Sequence, residues 1–128
     1  VPNSVLTSHL SELLPLMIKS FKSKLQNLRI SILYLFEVLL QSNIECIIPY
    51  IRTIVPILLE LAHYQKSSKV RISALKCLLL LTKLEYSMLH TVTKKVIKSL
   101  LDVLDDEHKE VRTIAVQCRN KWFMVGEE

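Results

Sequence analysis

Val70-Arg71-Ile72-Ser73-Ala74-Leu75 is a pattern that this 128-residue sequence uses three times. It appears earlier as Leu28-Arg29-Ile30-Ser31-Ile32-Leu33 and later as Val111-Arg112-Thr113-Ile114-Ala115-Val116, so the starts at 28, 70 and 111 lie 42 and 41 residues apart. That period is expected when each unit is a pair of antiparallel helices stacked on the next. A second apolar stretch precedes each copy: Leu14-Pro15-Leu16-Met17-Ile18, Val55-Pro56-Ile57-Leu58-Leu59 and Val96-Ile97-Lys98-Ser99-Leu100-Leu101. Two helices per unit follow. The sequence therefore predicts one all-α domain, an α-solenoid of three helical hairpins and about six helices, with repeats at about 1–42, 43–85 and 86–128.

Apolar periodicity places the first helices at about Ser8 to Phe21, Ile44 to His63 and Leu89 to Leu104. The second helices fall at about Lys24 to Leu40, Ser68 to Leu84 and Lys109 to Met124. Ser8 and Ser68 suit N-caps, since a hydroxyl there accepts from the free N–H groups of the first turn, and Glu12 stands near enough to help the first. Pro15, Pro49 and Pro56 fall within or at the start of first helices, where each removes a backbone donor and favours a bend.

Composition narrows the function. Half of the residues are hydrophobic and Gly126 is the only glycine, which leaves no phosphate-cradling loop, nucleophile elbow or other site built on tight backbone turns. No paired catalytic carboxylates appear, and an enzyme is not expected. The apolar runs from Ile44 to Ala62 and from Val70 to Leu84 are broken by Pro49, Arg52, Pro56, Glu60, Lys76 and Lys83, well short of a membrane span, so a soluble chain is expected. Val1-Pro2-Asn3-Ser4 carries neither a basic region nor a cleavage pattern and reads as the edge of a piece cut from a longer chain. The formal net charge of +5 favours acidic partners in a general way.

The second helices resemble those of the HEAT repeat family, which open with a Val-Arg pair after an acidic turn, as in Leu104-Asp105-Asp106-Glu107-His108-Lys109-Glu110-Val111-Arg112. That resemblance implies an aspartate and arginine ladder across neighbouring repeats, formed by Asp106, Arg71 and Arg112 with Arg29 above. The middle repeat departs from it, with Gln65-Lys66-Ser67-Ser68-Lys69 where the acid belongs. A narrower resemblance rests on Val70 to Cys77, on Leu104-Asp105-Asp106 with Val111-Arg112, and on Arg119-Asn120-Lys121-Trp122-Phe123-Met124-Val125-Gly126. These residues are similar to the C-terminal HEAT repeats of the methyl-methanesulfonate-sensitivity nineteen family, scaffolds of the cytosolic iron-sulfur assembly targeting complex. The resemblance implies a non-catalytic adaptor, cytoplasmic and nuclear, that bridges the WD-repeat propeller subunit and the small SufT-like subunit of that complex to client apoproteins, including DNA repair and replication enzymes. It assigns no cofactor to this chain, because the family's cluster chemistry resides in other components.

Candidate residues follow from the repeat register. Tyr34, Lys76, Lys83, Gln117, Asn120 and Lys121 are expected to project from the second helices, which line the concave side of such solenoids. Arg119 takes the place held by Phe36 and Leu78, so the last layer is more polar there, as suits a cap or a docking face. Trp122-Phe123 has the same two readings, closing the last layer's core or anchoring a partner. Cys77 and Cys118 are 41 residues apart and so equivalent in register, as small apolar residues between layers; with Cys46 they lack the spacing of a disulfide framework, a zinc site or an iron-sulfur cluster. His9, His63, His90 and His108 are scattered near helix ends and read as surface residues. Asp105-Asp106-Glu107 reads as helix-start chemistry rather than a metal patch. Lys22, Lys24, Lys66 and Lys69 lie in corresponding turns, either a solvated edge or a basic one. Aromatics at 6%, not interleaved with those lysines, weigh against direct nucleic-acid binding.

Overall fold

The computed structural model describes residues 15–17, 19 and 26–127. From Gln26 onward there are six α-helices and two 3-10 helices, and no strand is present among the described residues. We label the helices α1 (Gln26–Ser42), α2 (Ile51–Ala62), α3 (Ser68–Leu81), α4 (Tyr86–Leu89), α5 (Thr93–Ser99) and α6 (Lys109–Glu127); the 3-10 helices span Ile44–Tyr50 and Asp102–Asp105. The expected helix from Ser8 to Phe21, with its Ser8 cap, lies mostly outside the described residues; Pro15, Leu16, Met17 and Lys19 are helical.

The chain folds as an all-α solenoid in two layers. The helices that open with the Arg-containing repeat, α1, α3 and α6, stack side by side, with α3 in the middle against both others. Behind them run α2, which packs on α3, and α5, which packs on α6. One continuous apolar core fills the space between, with Leu33, Phe36, Ile54, Leu58, Leu75, Leu78, Leu81, Leu89 and Trp122 all inaccessible to solvent. Each large aliphatic side chain buried this way contributes about 1.5–3 kcal/mol relative to an exposed one. Because α3 is covered on three sides, Val70, Arg71, Ala74, Leu75, Cys77, Leu78 and Leu81 are all buried along it. Only Lys69 and Lys76 of this helix are exposed.

The second helices match the expected spans closely, but the first helices do not. The single helix expected from Ile44 to His63 is a 3-10 helix followed by α2, with the break at Tyr50, whose φ and ψ are −110° and 4°. Pro49 lies inside the 3-10 helix just ahead of the break, where it supplies no N–H to the preceding turn. Pro56, inside α2, is accommodated within the run. The helix expected from Leu89 to Leu104 is instead three short turns, α4, α5 and the 3-10 helix at Asp102–Asp105. His90-Thr91-Val92-Thr93 is a run of weak helix formers, three of them β-branched. Thr93 also turns its hydroxyl back to donate to the Leu89 carbonyl at 2.8 Å, a local bond that competes with helix continuation.

The cap of α3 is a correction of one residue. Ser67, not Ser68, is the N-cap: its backbone is extended and its Oγ accepts from the Val70 N–H at 3.3 Å.

Candidate functional site

The polar groups inside the molecule hold its layers together. Asp106 sits in the turn ahead of α6 with extended backbone, φ −55° and ψ 146°. Its Oδ1 accepts from the His108 N–H at 2.9 Å and from Arg71 Nη2 at 3.2 Å. Arg71 Nε lies 2.8 Å from the other carboxylate oxygen, an ion-pair contact whose direction falls short of a hydrogen bond. The same guanidinium donates through Nη1 to the Tyr64 carbonyl at 2.8 Å. His108 Nδ1 stands 3.1 Å from Arg71 Nη2, and because arginine only donates, that nitrogen is the acceptor. Burial pushes the Asp106 carboxyl up, but the His108 N–H and the Arg71 guanidinium outweigh it and hold the group below the usual carboxylate range.

One layer on, Arg112 Nη1 donates to the Asp106 carbonyl at 2.8 Å, repeating the bond of Arg71 to its own turn. One layer back, Gln65 occupies the acid's register position, and Arg29 places its guanidinium 4.6 Å above the Tyr64 ring instead. A cation over an aromatic face is attracted to the ring's negative quadrupole, so the Tyr64 ring is one of the groups that hold Arg29. Asp105-Asp106-Glu107 is thus a turn that receives arginines, and Asp106 is the member that carries the contact.

Of the residues expected on a docking face, Tyr34, Lys76, Lys83, Gln117, Asn120 and Lys121 are exposed, Tyr34 by 67%. Lys76 and Gln117 both line the groove between α3 and α6, where Ile72, Ile114, Lys109, Glu110 and Thr113 complete the lining of a pocket of about 430 Å³. Tyr34 lies one helix away on α1, and Lys83 follows the C-terminus of α3.

Trp122 and Arg119 are both taken up in contacts inside the molecule. Trp122 is fully buried, and its Nε1 donates to the Leu78 carbonyl at 3.0 Å, so it closes the core between α3 and α6 and offers no surface to a partner. Arg119 is half-buried, with Nε donating to the Ile97 carbonyl at 3.0 Å and its guanidinium 4.8 Å above the Phe123 ring. It ties α6 to α5. Exposed Val116 and Met124 on α6, and Lys109 on the groove rim, were not singled out by register.

His63 also departs from the reading as a simple surface residue. Its Nδ1 lies 2.7 Å from the Leu59 carbonyl and its Nε2 lies 2.8 Å from Asp102 Oδ1. Both partners only accept, so the two bonds form together only when both ring nitrogens carry protons, and the site favours the imidazolium. Burial works against that charge, but the two hydrogen bonds and the Asp102 carboxylate prevail and raise His63 above the ordinary histidine range. Asp102 is lowered in turn, chiefly by the same bond. The pair is separated by 39 residues in sequence and links α2 to the 3-10 helix at Asp102–Asp105.

The cysteines are free thiols. Cys77 and Cys118 are buried at equivalent positions on α3 and α6; burial raises the first strongly and pushes the second up to about 12, so both are protonated core residues at neutral pH. Among the described residues no group of three or more His, Cys, Asp or Glu is placed to hold a metal ion. No helix among them is long and apolar enough to cross a membrane.

The sequence matches, over residues 1–82, the family model described as RNAPII transcription regulator C-terminal. It is also 36% identical over 126 residues to the MMS19 nucleotide excision repair protein homolog of Xenopus laevis, and 32% identical over 126 residues to that of Homo sapiens. The DNA repair/transcription protein mms19 of Schizosaccharomyces pombe is 28% identical over 126 residues. These matches cover 98%, 98% and 97% of this chain, which spans 12% of the length of each relative.

Proposed function

The chain belongs to the MMS19 family, and on that premise we propose that it is a non-catalytic docking segment of a solenoid scaffold. Its partners are the WD-repeat propeller subunit and the small SufT-like subunit of the cytosolic iron-sulfur assembly targeting complex. Through them it helps deliver clusters to client apoproteins. The repair and transcription roles in the relatives' names are consistent with clients that act on DNA, and with work in both cytoplasm and nucleus.

The observation that carries this reading is the division of labour among polar side chains. Arg71, Asp106, Arg119 and His63 spend their side-chain hydrogen bonds joining one part of the stack to another. Tyr34, Lys76, Gln117, Asn120 and Lys121 stand exposed on one row of stacked helices. A stacked, internally braced row that offers a broad exposed face is suited to recognition by surface rather than by a closed cavity. Co-purification of the chain with the propeller and SufT-like subunits tests it. Retention of both is the expected result; failure to retain either at micromolar concentration would remove the proposal.

A further inference from the structure

The exposed strip of α3 has an unusual composition. Register sets three parallel strips on the stacked helices: Tyr34 and Gln41 on α1; Lys69, Lys76 and Lys83 along α3 and the turn after it; Glu110, Gln117 and Met124 on α6. Seven residues make nearly two helical turns, so successive members of a strip stand about 10.5 Å apart on one face. The central strip alone is all lysine. Lys69 and Lys76 are also the only exposed side chains of α3, with Ser68, Ile72, Ser73, Leu79 and Leu80 partly buried, so the most accessible positions of that helix are both cationic.

Among the described residues no carboxylate lies within ion-pair distance of these three lysines. Like charges at about one Debye length repel weakly, and nothing within the strip offsets that repulsion. Glu110 is the acid lining the neighbouring pocket, beside Lys76 and Lys109. Flanking the strip are the partly buried apolar side chains of Ile72 and Ile114, in the groove toward α6.

We propose that this strip receives an α-helical segment of a protein partner whose carboxylates recur every seven residues, with an aliphatic side chain set between them into the α3–α6 groove. The proposal rests on the docking reading above and names the partner's chemistry. A helix laid along α3 has the same rise per residue as α3, so carboxylates at i, i+7 and i+14 meet Lys69, Lys76 and Lys83 in register. The groove's apolar floor favours a protein over a polyphosphate. Duplex DNA presents chiefly phosphate and sugar to such a strip and has little to set against Ile72 and Ile114.

The test is fluorescence anisotropy with a labelled helical peptide carrying Glu at positions 1, 8 and 15 and Leu between them. A second peptide has Lys at the same three positions, and a 20-base-pair DNA duplex is the third probe. The acidic peptide is expected to bind the chain, with affinity about fivefold weaker for Lys76→Glu and more than about tenfold weaker for the triple change of Lys69, Lys76 and Lys83 to Glu, as reversed exposed ion pairs would give. The lysine peptide should bind the triple variant and not the parent chain. All three positions are exposed, so helicity and Tm should stay unchanged; if the triple variant unfolds, Lys76→Met alone still decides, since it removes one charge and must weaken the acidic peptide. Equal binding of the acidic peptide to parent and variants, no binding at all, or tighter binding of the duplex would overturn the proposal. Co-purification separates the two readings. If the propeller and SufT-like subunits are retained equally by parent and triple variant, the scaffold stands and the strip falls. If neither is retained while the acidic peptide still binds through the lysines, the strip stands and the iron-sulfur partners fall.

Discussion

His63 shows how much of this fold turns on single protons. Both its ring nitrogens face acceptors, 2.7 and 2.8 Å away, so the neutral ring would lose one of the two bonds. Because the folded state raises the histidine's pKa, the stabilisation is complete below the unfolded pKa of about 6.5 and is lost as pH rises through the higher folded value. The pair is partly exposed, and its contribution is of the order of an exposed ion pair, up to about 1 kcal/mol. Thermal melts from pH 5.5 to 8.5 should show the parent losing Tm relative to His63→Gln as pH rises; parallel curves would show that the ring carries no linked proton. Asp106 acts in the opposite direction. Its depressed carboxyl stabilises the fold above the unfolded value near 4 and loses that effect as pH falls through the folded one. Asp106→Ala leaves the buried Arg71 guanidinium without its counter-charge, a loss of about 3–5 kcal/mol, read as a fall in the denaturant midpoint. An unchanged midpoint would mean that the carbonyls of Tyr64 and Gln65 suffice to hold Arg71. The sequence pointed to the Arg71–Asp106 contact through the family ladder, but His63–Asp102 was hidden in it, because the two lie on different helices with no local pattern joining them.

At the scale of the element, the helices of the α1, α3 and α6 row were legible and those behind them were not, for a physical reason. The row's helices pack on two or three sides, and that burial enforces a long apolar pattern with few weak formers. The helices behind it are covered less completely and follow local chemistry, at Pro49 and in the His90-Thr91-Val92-Thr93 run. The start of α3 turned on a single oxygen: adjacent serines look alike in sequence, and only the backbone shows that Ser67 is extended while Ser68 is already helical. Ser67→Ala should cost about 1 kcal/mol through the lost cap, whereas Ser68→Ala should change stability by a few tenths at most. Urea denaturation of the two variants side by side distinguishes them, and equal losses would contradict the assignment. Trp122 belongs to this scale too. Its place near the end of the last helix allowed either a cap or an anchor, and the hydrogen bond to the Leu78 carbonyl makes it the wedge that fastens α6 to α3.

Across the whole molecule, the period of 41 to 42 residues predicted stacked helical pairs, and the same register placed Tyr34, Lys76 and Gln117 at corresponding points on three neighbouring helices. What register could not say was which exposed residues face a groove and which are taken up by the chain itself, since Arg119 and Lys121 are two residues apart on one helix and only the first bends back to a carbonyl. The central claim is that the face formed by α1, α3 and α6 is the one that meets partners. Lysines on both layers allow it to be tested in one measurement, acetylation footprinting by mass spectrometry of the chain alone and with the propeller and SufT-like subunits. Docking on the proposed face should protect Lys76, Lys109 and Lys121 while Lys94, Lys95 and Lys98 of α5 react as in the free chain. Protection of the α5 lysines with Lys76, Lys109 and Lys121 left fully reactive would contradict it.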